Sequence, residues 1–236
     1  MLAAIVLFAC AMQTISGFGF ALLAVPLMVT VTDARTASMV ATALGILPQM
    51  VQSVRFRQFI QWPLVKHLSL SAFFGMPFGL LLFKFADERA LRMTLGVSTL
   101  IMAVLLAGGL TLSHRGRGVD WAFGSASGVL STSLATNGPP LVFVLQGRGL
   151  APDQFRSTIT TVFTICGVVS LSGRIGAGGL THDVLVVCAW TALPMALGLL
   201  IGLKLRPLIS PTGFRKLVLA LLVVAALTAI RAAMVA

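Results

Sequence analysis

At residues 134–141 the chain reads LATNGPPL, inside an otherwise apolar segment that runs from 121 to 146. Pro139 and Pro140 supply no backbone N–H, and each disfavours the α conformation of the residue before it. Irregular backbone persists at membrane depth only where it is buried in protein or lines a polar cavity, because lipid offers no hydrogen bonds. The stretch therefore predicts a discontinuous helix whose free peptide groups form part of a binding site.

The overall composition is that of an integral membrane protein. Of the 236 residues, 58% are hydrophobic and 10% are charged, and the mean hydropathy is +1.02. These values exclude a disordered chain and lie far outside those of soluble proteins. The net charge of +11 would suggest nucleic-acid binding in a soluble protein. Here the basic residues lie mainly at the ends of apolar runs, as topology signals do, so we expect a multi-pass protein in a lipid bilayer with no nucleic-acid partner.

Eight apolar runs have about the length that crosses a bilayer as a helix, roughly 20 residues. They fall at 2–31, 36–54, 63–85, 91–112, 121–147, 157–178, 184–205 and 215–235. The first and fifth are longer, and each contains an interruption: SGFGF at 16–20 and the stretch at 135–140. We predict an all-α membrane protein in which segments one and five are broken, as re-entrant hairpins or as kinked spanning helices.

Matching positions in the two halves predict an internal repeat of four segments, with a first repeat at 1–112 and a second at 119–236. Gly19 aligns with Gly138, and in each half an aspartate followed by an arginine then opens the next segment. If segments one and five return to the side from which they enter, the two repeats have inverted topology.

The basic residues favour this hairpin arrangement over eight full crossings. With hairpins, one side of the membrane collects eleven basic residues, namely Arg55, Arg57, Lys66, Arg115, Arg117, Arg148, Arg156, Lys204, Arg206, Arg215 and Lys216. The other side has six, whereas eight full crossings divide them ten to seven. Because positive residues concentrate on the cytoplasmic side, the stronger bias favours the hairpins.

Polar residues flank both interruptions and supply most candidate ligands. A single Ser or Thr more often bonds a carbonyl of its own helix, but Asn137 beside Gly138 and Pro139 favours substrate contact. Glycines at the interruptions would let backbone amides approach a solute. The candidate substrate-binding residues are Gln13, Ser16, Gly17, Gly19, Arg35, Thr136, Asn137, Gly138, Pro139 and Arg156.

The charges around these candidates indicate an anionic substrate. No Asp or Glu lies near the centre of an apolar run, so a proton or sodium relay on a central carboxylate has no support. Helix N-termini at a break offer N–H donors and partial positive charge, which suit an anion. Arg35 and Arg156 are the candidate cations, although membrane anchoring or pairing with Asp33 and Asp153 is the simpler interpretation. Gln49 follows a proline, and we expect it to satisfy backbone freed by the kink.

Sequence motifs of enzymes are absent. The chain contains no GxSxG, HExxH or Walker sequence, and its three cysteines and three histidines are isolated from one another. We therefore expect no catalytic residues, no metal site and no cofactor.

The sequence SGFGF at 16–20 with Pro26 downstream, together with TNGPP at 136–140, resembles the sulfite exporter TauE/SafE family of bacterial membrane transporters. The first motif of this family often has a run of glycines, where Phe20 and Ala21 stand here. The resemblance implies a secondary carrier in the bacterial plasma membrane for sulfite, an organosulfonate or a related small organic anion, with no ATP site. An anion channel or a non-transporting scaffold is the alternative, and the particular anion, the direction, the coupling ion and homo-oligomer formation stay open.

Overall fold

The computed structural model describes residues 1–107 and 117–208, together with a few isolated positions between 213 and 227. These residues are helical with no β-strand among them. The helices are α1 (Leu2–Ser16), α2 (Phe20–Met28), α3 (Ala34–Arg55), α4 (Trp62–Phe85), α5 (Glu88–Ala107), α6 (Arg117–Leu134), α7 (Gly138–Gln146), α8 (Pro152–Gly176) and α9 (His182–Leu205). Short 3-10 turns, Arg57–Phe59 and Arg206–Leu208, follow α3 and α9.

The described helices correspond to the first seven predicted segments, and segments one and five are each divided into two helices. Within the described residues, four helical stretches are long and apolar enough to cross a membrane, namely Ala34–Arg55, Trp62–Phe85, Pro152–Gly176 and His182–Leu208. The all-α prediction is confirmed for the described residues. The eighth segment, 215–235, lies outside them apart from isolated positions, so eight segments in two repeats stay a prediction.

Local sequence explains where several helices begin. Asp33 caps α3, because its carboxylate accepts a hydrogen bond of 2.8 Å from the backbone N–H of Thr36. Thr181 caps α9 in the same way, accepting from the N–H of Val184 at 3.3 Å. The two prolines of GPP lie in the first turn of α7, where the missing N–H groups would have no partner within the helix.

The two interruptions have different backbone geometry. Break 1 (Gly17–Gly19) has φ angles of 84° at Gly17 and 101° at Gly19, both in the left-handed region that favours glycine. The N–H of Gly17 closes α1 by donating to the carbonyl of Gln13 at 2.7 Å. Break 2 (Ala135–Asn137) begins instead with a non-glycine residue at positive φ, Ala135 at 62°.

The helices on either side of each break run antiparallel as a hairpin. Ser127 in α6 donates to the carbonyl of Asn137 at the start of α7 at 2.8 Å, and Asp120 near the start of α6 pairs with Arg148 just after α7. Segment five therefore begins and ends on the same side of the helix assembly. Segment one does so too, because residues 1–3 at the start of α1 share a pocket with Val31, which follows α2.

Pairs of long helices pack closely around these hairpins. The main pairs are α4 with α6, α1 with α9, and α3 with α8. A Cβ on Gly75 in α4 would lie 1.9 Å from the carbonyl oxygen of Ser125 in α6, and one on Gly198 in α9 would lie 2.4 Å from that of Leu7 in α1. Small residues thus bring the backbones into direct contact, as is common between membrane helices.

Candidate functional site

A small cavity lies between the two breaks. Its volume is about 30 Å³, which is room for about one or two water molecules. Its walls come from the starts of α2 and α7, the middle of α3 and α8, and the end of α6. The lining residues are Phe20, Ala21, Ala41, Thr42, Ile46, Gln49, Ser131, Ala135, Asn137, Phe163 and Gly167. The N-terminal ends of two short helices from different hairpins therefore meet at one cavity.

The two breaks also touch one another beside this cavity. A Cβ on Gly138 would lie 3.3 Å from the side chain of Leu22 in α2 and 3.6 Å from that of Phe18 in break 1. Pro139 is buried next to Gly138. The structure therefore brings together the two sequence motifs, which are about 120 residues apart in the chain.

Break 1 is held by contacts within the protein. The Ser16 hydroxyl accepts a hydrogen bond from the N–H of Phe18 at 3.3 Å and lies 2.8 Å from the carbonyl of Met12, one turn back in α1. The carbonyl of Gly17 accepts from the Thr160 hydroxyl in α8 at 3.0 Å. Most of the polar groups of break 1 that could contact a solute are thus already engaged.

Two glycines of break 1 have different surroundings. A Cβ on Gly17 would lie 2.8 Å from the Cα of Arg156, so α8 packs directly on the backbone there. A Cβ on Gly19 would meet no described atom within 4 Å. Gln13, one turn before the break, is fully buried, and neither polar atom of its amide has a hydrogen bond to a described residue.

Break 2 presents polar groups that the described part of the protein leaves without partners. Asn137 lines the cavity and is 9% exposed, and no hydrogen bond joins its side chain to the rest of the described chain. The hydroxyl of Thr136 is buried and likewise has no partner within residues 1–107 and 117–208. Because a buried polar group without a hydrogen bond is unfavourable by about 1–3 kcal/mol, these two side chains and the amide of Gln13 are the candidates for ligand contact.

The two candidate cations lie in pockets at opposite ends of the antiparallel pair α3 and α8. Arg35, at the start of α3, is exposed and donates to the carbonyl of Ala86 at 2.6 Å. It lines a pocket of about 290 Å³ with residues from the ends of α4 and α8. Arg156 lies at the start of α8 in a pocket of about 610 Å³ that the ends of α3 and α9 complete. Neither arginine lines the cavity between the breaks.

Asp33, the residue that caps the start of α3, contributes a negative charge to the Arg35 pocket. Partial burial acts to raise the pKa of this carboxyl, but the hydrogen bonds from Thr36 and from the backbone around Asp33 outweigh that effect, so its pKa lies below the ordinary value. Asp33 is therefore ionised at neutral pH and partly balances the cations at this end.

The structure adds a buried cation that is not among the candidate residues predicted from the sequence. Arg174 in α8 is completely buried. Its guanidinium donates to the carbonyls of Thr132, Ser131 and Ser38 at 2.8, 2.5 and 3.0 Å and to the hydroxyl of Thr42 at 2.8 Å. All these acceptors are uncharged, and Thr42 and Ser131 also line the cavity. A buried positive charge therefore lies directly behind the cavity wall.

Sequence patterns gave weak signals for these additional residues. Arg174 is followed by further apolar residues up to 178. It therefore lies inside an apolar run rather than at its end, which was the available indication that its side chain is buried. Gln49 lines the cavity, although the sequence favoured a role in satisfying the kinked backbone. Within the described ranges, no group of three His, Cys, Asp or Glu side chains could hold a metal ion.

Comparison with known proteins identifies the family. A sequence model of the family described as "Sulfite exporter TauE/SafE" matches residues 2–229. A relative from Cupriavidus necator, described as "Probable sulfite/organosulfonate exporter TauE", is 25% identical over 225 residues, which cover 89% of this chain and 85% of the relative. No solved structure matches the chain. Because the family match extends over nearly the whole sequence, the protein belongs to the sulfite exporter TauE/SafE family.

Proposed function

We propose that this protein is a secondary carrier that moves sulfite, an organosulfonate or a related small organic anion across the bacterial plasma membrane. The observation that carries the proposal is the meeting of the two helix breaks at one buried cavity with polar groups in its wall. Membership of an exporter family places the protein among transporters rather than enzymes. The name of the Cupriavidus relative supports the choice of a sulfur oxyanion.

Two helix N-termini would supply hydrogen-bond donors to the anion. The first residues of α2, Phe20 and Ala21, line the cavity, and so does Asn137, which precedes α7. Backbone N–H groups at helix N-termini are unsatisfied within the helix and carry partial positive charge. Broken helices whose N-termini face an anion at mid-membrane are a known plan for secondary transporters.

Individual residues of the predicted site would have separate roles. Asn137 and Thr136 would donate hydrogen bonds from their side chains, and Gly19 and Gly138 would keep the backbone accessible. Of these four residues Asn137 lines the cavity, and the other three lie beside it at the two breaks. The remaining predicted residues would support the site from further away. Those residues are Gln13, Ser16, Gly17, Pro139, Arg35 and Arg156.

Arg174 would balance the charge of the anion. A buried cation without a carboxylate is unfavourable in a membrane protein, and the hydrogen bonds of this guanidinium go to uncharged oxygens. An anion in the adjacent cavity would lie across a single layer of side chains, those of Thr42 and Ser131, from the positive charge. The cavity would therefore favour an anion over a neutral solute of similar shape.

The helix packing supports two inverted repeats, 1–112 and 119–236. Exchanging the repeats maps α1 onto α6 and α9 onto α4, so the pair α1 with α9 becomes the pair α6 with α4, and both pairs are present. Helix α3 maps onto α8, and these two pack on each other. We place the end with Arg55, Arg156 and Arg206 in the cytoplasm, because it belongs to the more basic side.

Transport would proceed by alternating access to the cavity. The cavity between the breaks has room for about one or two water molecules, so we expect it to widen when an anion binds. The pockets at the two ends of α3 and α8 would open to it in turn, as the two hairpins move against the long helices.

Counterflow in proteoliposomes tests the proposal. Vesicles containing the purified protein are loaded with unlabelled sulfite, and uptake of external radiolabelled sulfite is followed, with taurine and sulfoacetate as further solutes. A carrier gives a transient overshoot above the equilibrium level. Uptake without overshoot would instead indicate a channel, and uptake equal to that of protein-free vesicles for every solute would indicate a non-transporting scaffold.

A further inference from the structure

The pocket at the end of the protein that we place in the cytoplasm contains an unusual cluster of arginines, here called the Arg206 pocket. Its volume is about 610 Å³, and it lies where the ends of α3 and α9 meet the start of α8. Its charged lining residues are Arg55, Asp153, Arg156 and Arg206. Three cations against one carboxylate make this pocket attractive to an anion.

Two of these arginines are buried and share the carboxylate. Arg156 and Arg206 are each 5% exposed. The same oxygen of Asp153 lies 2.9 Å from a guanidinium nitrogen of Arg206 and 3.6 Å from one of Arg156. Asp153 is itself about half exposed, so an incoming anion has access to the point where both guanidinium groups meet.

The guanidinium of Arg206 is fixed in orientation. Its carbon lies 3.7 Å from the centre of the Phe56 ring at the end of α3, a distance typical of stacking. Stacking engages the face of the guanidinium and leaves its edge for hydrogen bonding, where Asp153 now contacts one nitrogen. That edge presents N–H donors in the spacing that matches two oxygens of one sulfonate or phosphate group. The pocket thus places an oriented oxyanion-binding group, Arg206, next to a carboxylate, Asp153, which an incoming anion could replace as its partner.

The pocket also connects mechanically to break 1. The Cα of Arg156 would lie 2.8 Å from a Cβ on Gly17, and one turn further along α8 the Thr160 hydroxyl binds the carbonyl of Gly17. A change in the position of Arg156 would therefore be transmitted to the hairpin that forms one wall of the central cavity.

We propose that the Arg206 pocket is a second anion site, which captures the oxyanion from the cytoplasm before it reaches the central cavity. The anion binds between Arg156 and Arg206 and competes with Asp153 for them. This inference rests on the proposed function, since the captured ion is the one that is transported, but binding at the pocket can be measured without transport.

The test uses two substitutions that should change affinity in opposite directions. Methanesulfonate binding is measured by thermal shift and by calorimetry on the Asn137→Leu protein, so that the central site does not contribute. Arg206→Gln should weaken binding about tenfold, as expected for a lost charge-assisted hydrogen bond. Asp153→Asn should strengthen it several-fold, because the competing carboxylate becomes neutral. Asp153 is half exposed, so this variant reports even if the Arg206 variant fails to fold.

Matched charge changes at the other end serve as controls. Asp33→Asn and Lys84→Gln alter the Arg35 pocket and should leave methanesulfonate affinity unchanged. If Asp153→Asn weakens binding, the carboxylate only holds the arginines in place and the proposal is wrong. If the control pair shifts affinity equally, the effect is one of net charge, which also overturns it.

A free anion and a lipid headgroup present the same oxyanion chemistry to the pocket. Nanodiscs of different lipid composition distinguish the two. Methanesulfonate should bind equally in discs of phosphatidylcholine and of phosphatidylglycerol. Loss of methanesulfonate binding in discs of phosphatidylglycerol would instead assign the pocket to a lipid headgroup, because the anionic lipid would then occupy it in place of the free anion. Absence of counterflow with intact methanesulfonate binding would contradict the proposed transport while leaving the Arg206 pocket in place.

Discussion

The two helix breaks occupy equivalent places in the sequence but differ in how their polar groups are used. In break 1, the Ser16 hydroxyl and the Gly17 carbonyl both have hydrogen-bond partners inside the protein. In break 2, the Thr136 hydroxyl has no partner within the described residues, and the side chain of Asn137 faces the cavity. Break 1 is therefore a docked turn, and break 2 is the source of free donors.

This difference shows that a repeated backbone plan does not require repeated chemistry. Both breaks direct the N-terminus of a short helix toward the cavity, which is the feature that suits an anion. Side-chain recognition can then be concentrated in one break while the other anchors its hairpin to α8. A substitution in break 2 should change transport, and one in break 1 should change stability.

The largest expected effect is on transport by Asn137→Leu. Leucine has a similar size but no hydrogen-bonding group, so the cavity keeps its shape and loses a donor. We expect counterflow to fall to the background of protein-free vesicles with little change in Tm. Ser16→Ala is the matched change in break 1 and should keep most of the transport. Equal loss in both variants would contradict the division of roles.

The next effect concerns the positive charge behind break 2. Arg174→Gln keeps an amide that can reach some of the carbonyls but removes the charge, and we expect methanesulfonate affinity to fall about tenfold, the equivalent of roughly 1.4 kcal/mol. Arg174→Lys keeps the charge and should retain more of the affinity than Gln does. The measurement is calorimetric titration of folded protein that also carries Arg206→Gln, so that the Arg206 pocket contributes little, with the neutral isostere dimethyl sulfone as control. A glutamine variant with wild-type anion affinity would make Arg174 a structural residue only.

The glycines of break 1 should differ in their effect on stability. Gly17→Ala combines a residue at positive φ with a Cβ 2.8 Å from the Cα of Arg156, and we expect a loss of about 3 kcal/mol. Gly19→Ala has the same backbone strain but no described atom within 4 Å of the new Cβ, so about 1–2 kcal/mol is expected. Thermal or denaturant unfolding in detergent measures both. Equal losses would mean that contact with α8 contributes nothing.

The sequence predicted these breaks because Gly and Pro act on the backbone at their own positions, whatever surrounds them. It also predicted the cavity-facing Asn137, since an amide beside a break in lipid needs a partner. Arg174 was missed because its acceptors on α3 and α6 are 132 to 136 and 42 to 43 residues away, and nothing local marks them. Arg35 and Arg156 were placed near the site because their spacing from the breaks is equivalent, but the antiparallel arrangement of α3 and α8 puts them at opposite ends.

The smallest expected effect comes from replacing a threonine by valine, once beside break 1 at Thr160 and once in break 2 at Thr136. The hydroxyl of Thr160 lies 3.0 Å from the carbonyl of Gly17 and 2.6 Å from that of Arg156, so Thr160→Val should lower stability by about 1 kcal/mol. Thr136→Val removes a buried hydroxyl with no described partner. It should not lower stability, because no hydrogen bond is lost and an unpaired buried hydroxyl is itself unfavourable.

Binding should respond in the reverse order. If the Thr136 hydroxyl is kept unpaired for the anion, Thr136→Val should weaken methanesulfonate binding severalfold without lowering Tm, whereas Thr160→Val should leave the affinity of the folded protein near that of wild type. Calorimetry and thermal unfolding on the same two preparations give both quantities, and both variants are made with Arg206→Gln so that the Arg206 pocket contributes little to binding. A lower Tm in Thr136→Val than in Thr160→Val would show that break 2 is held by its own side chains, and the contrast between the two breaks would then lose its physical basis.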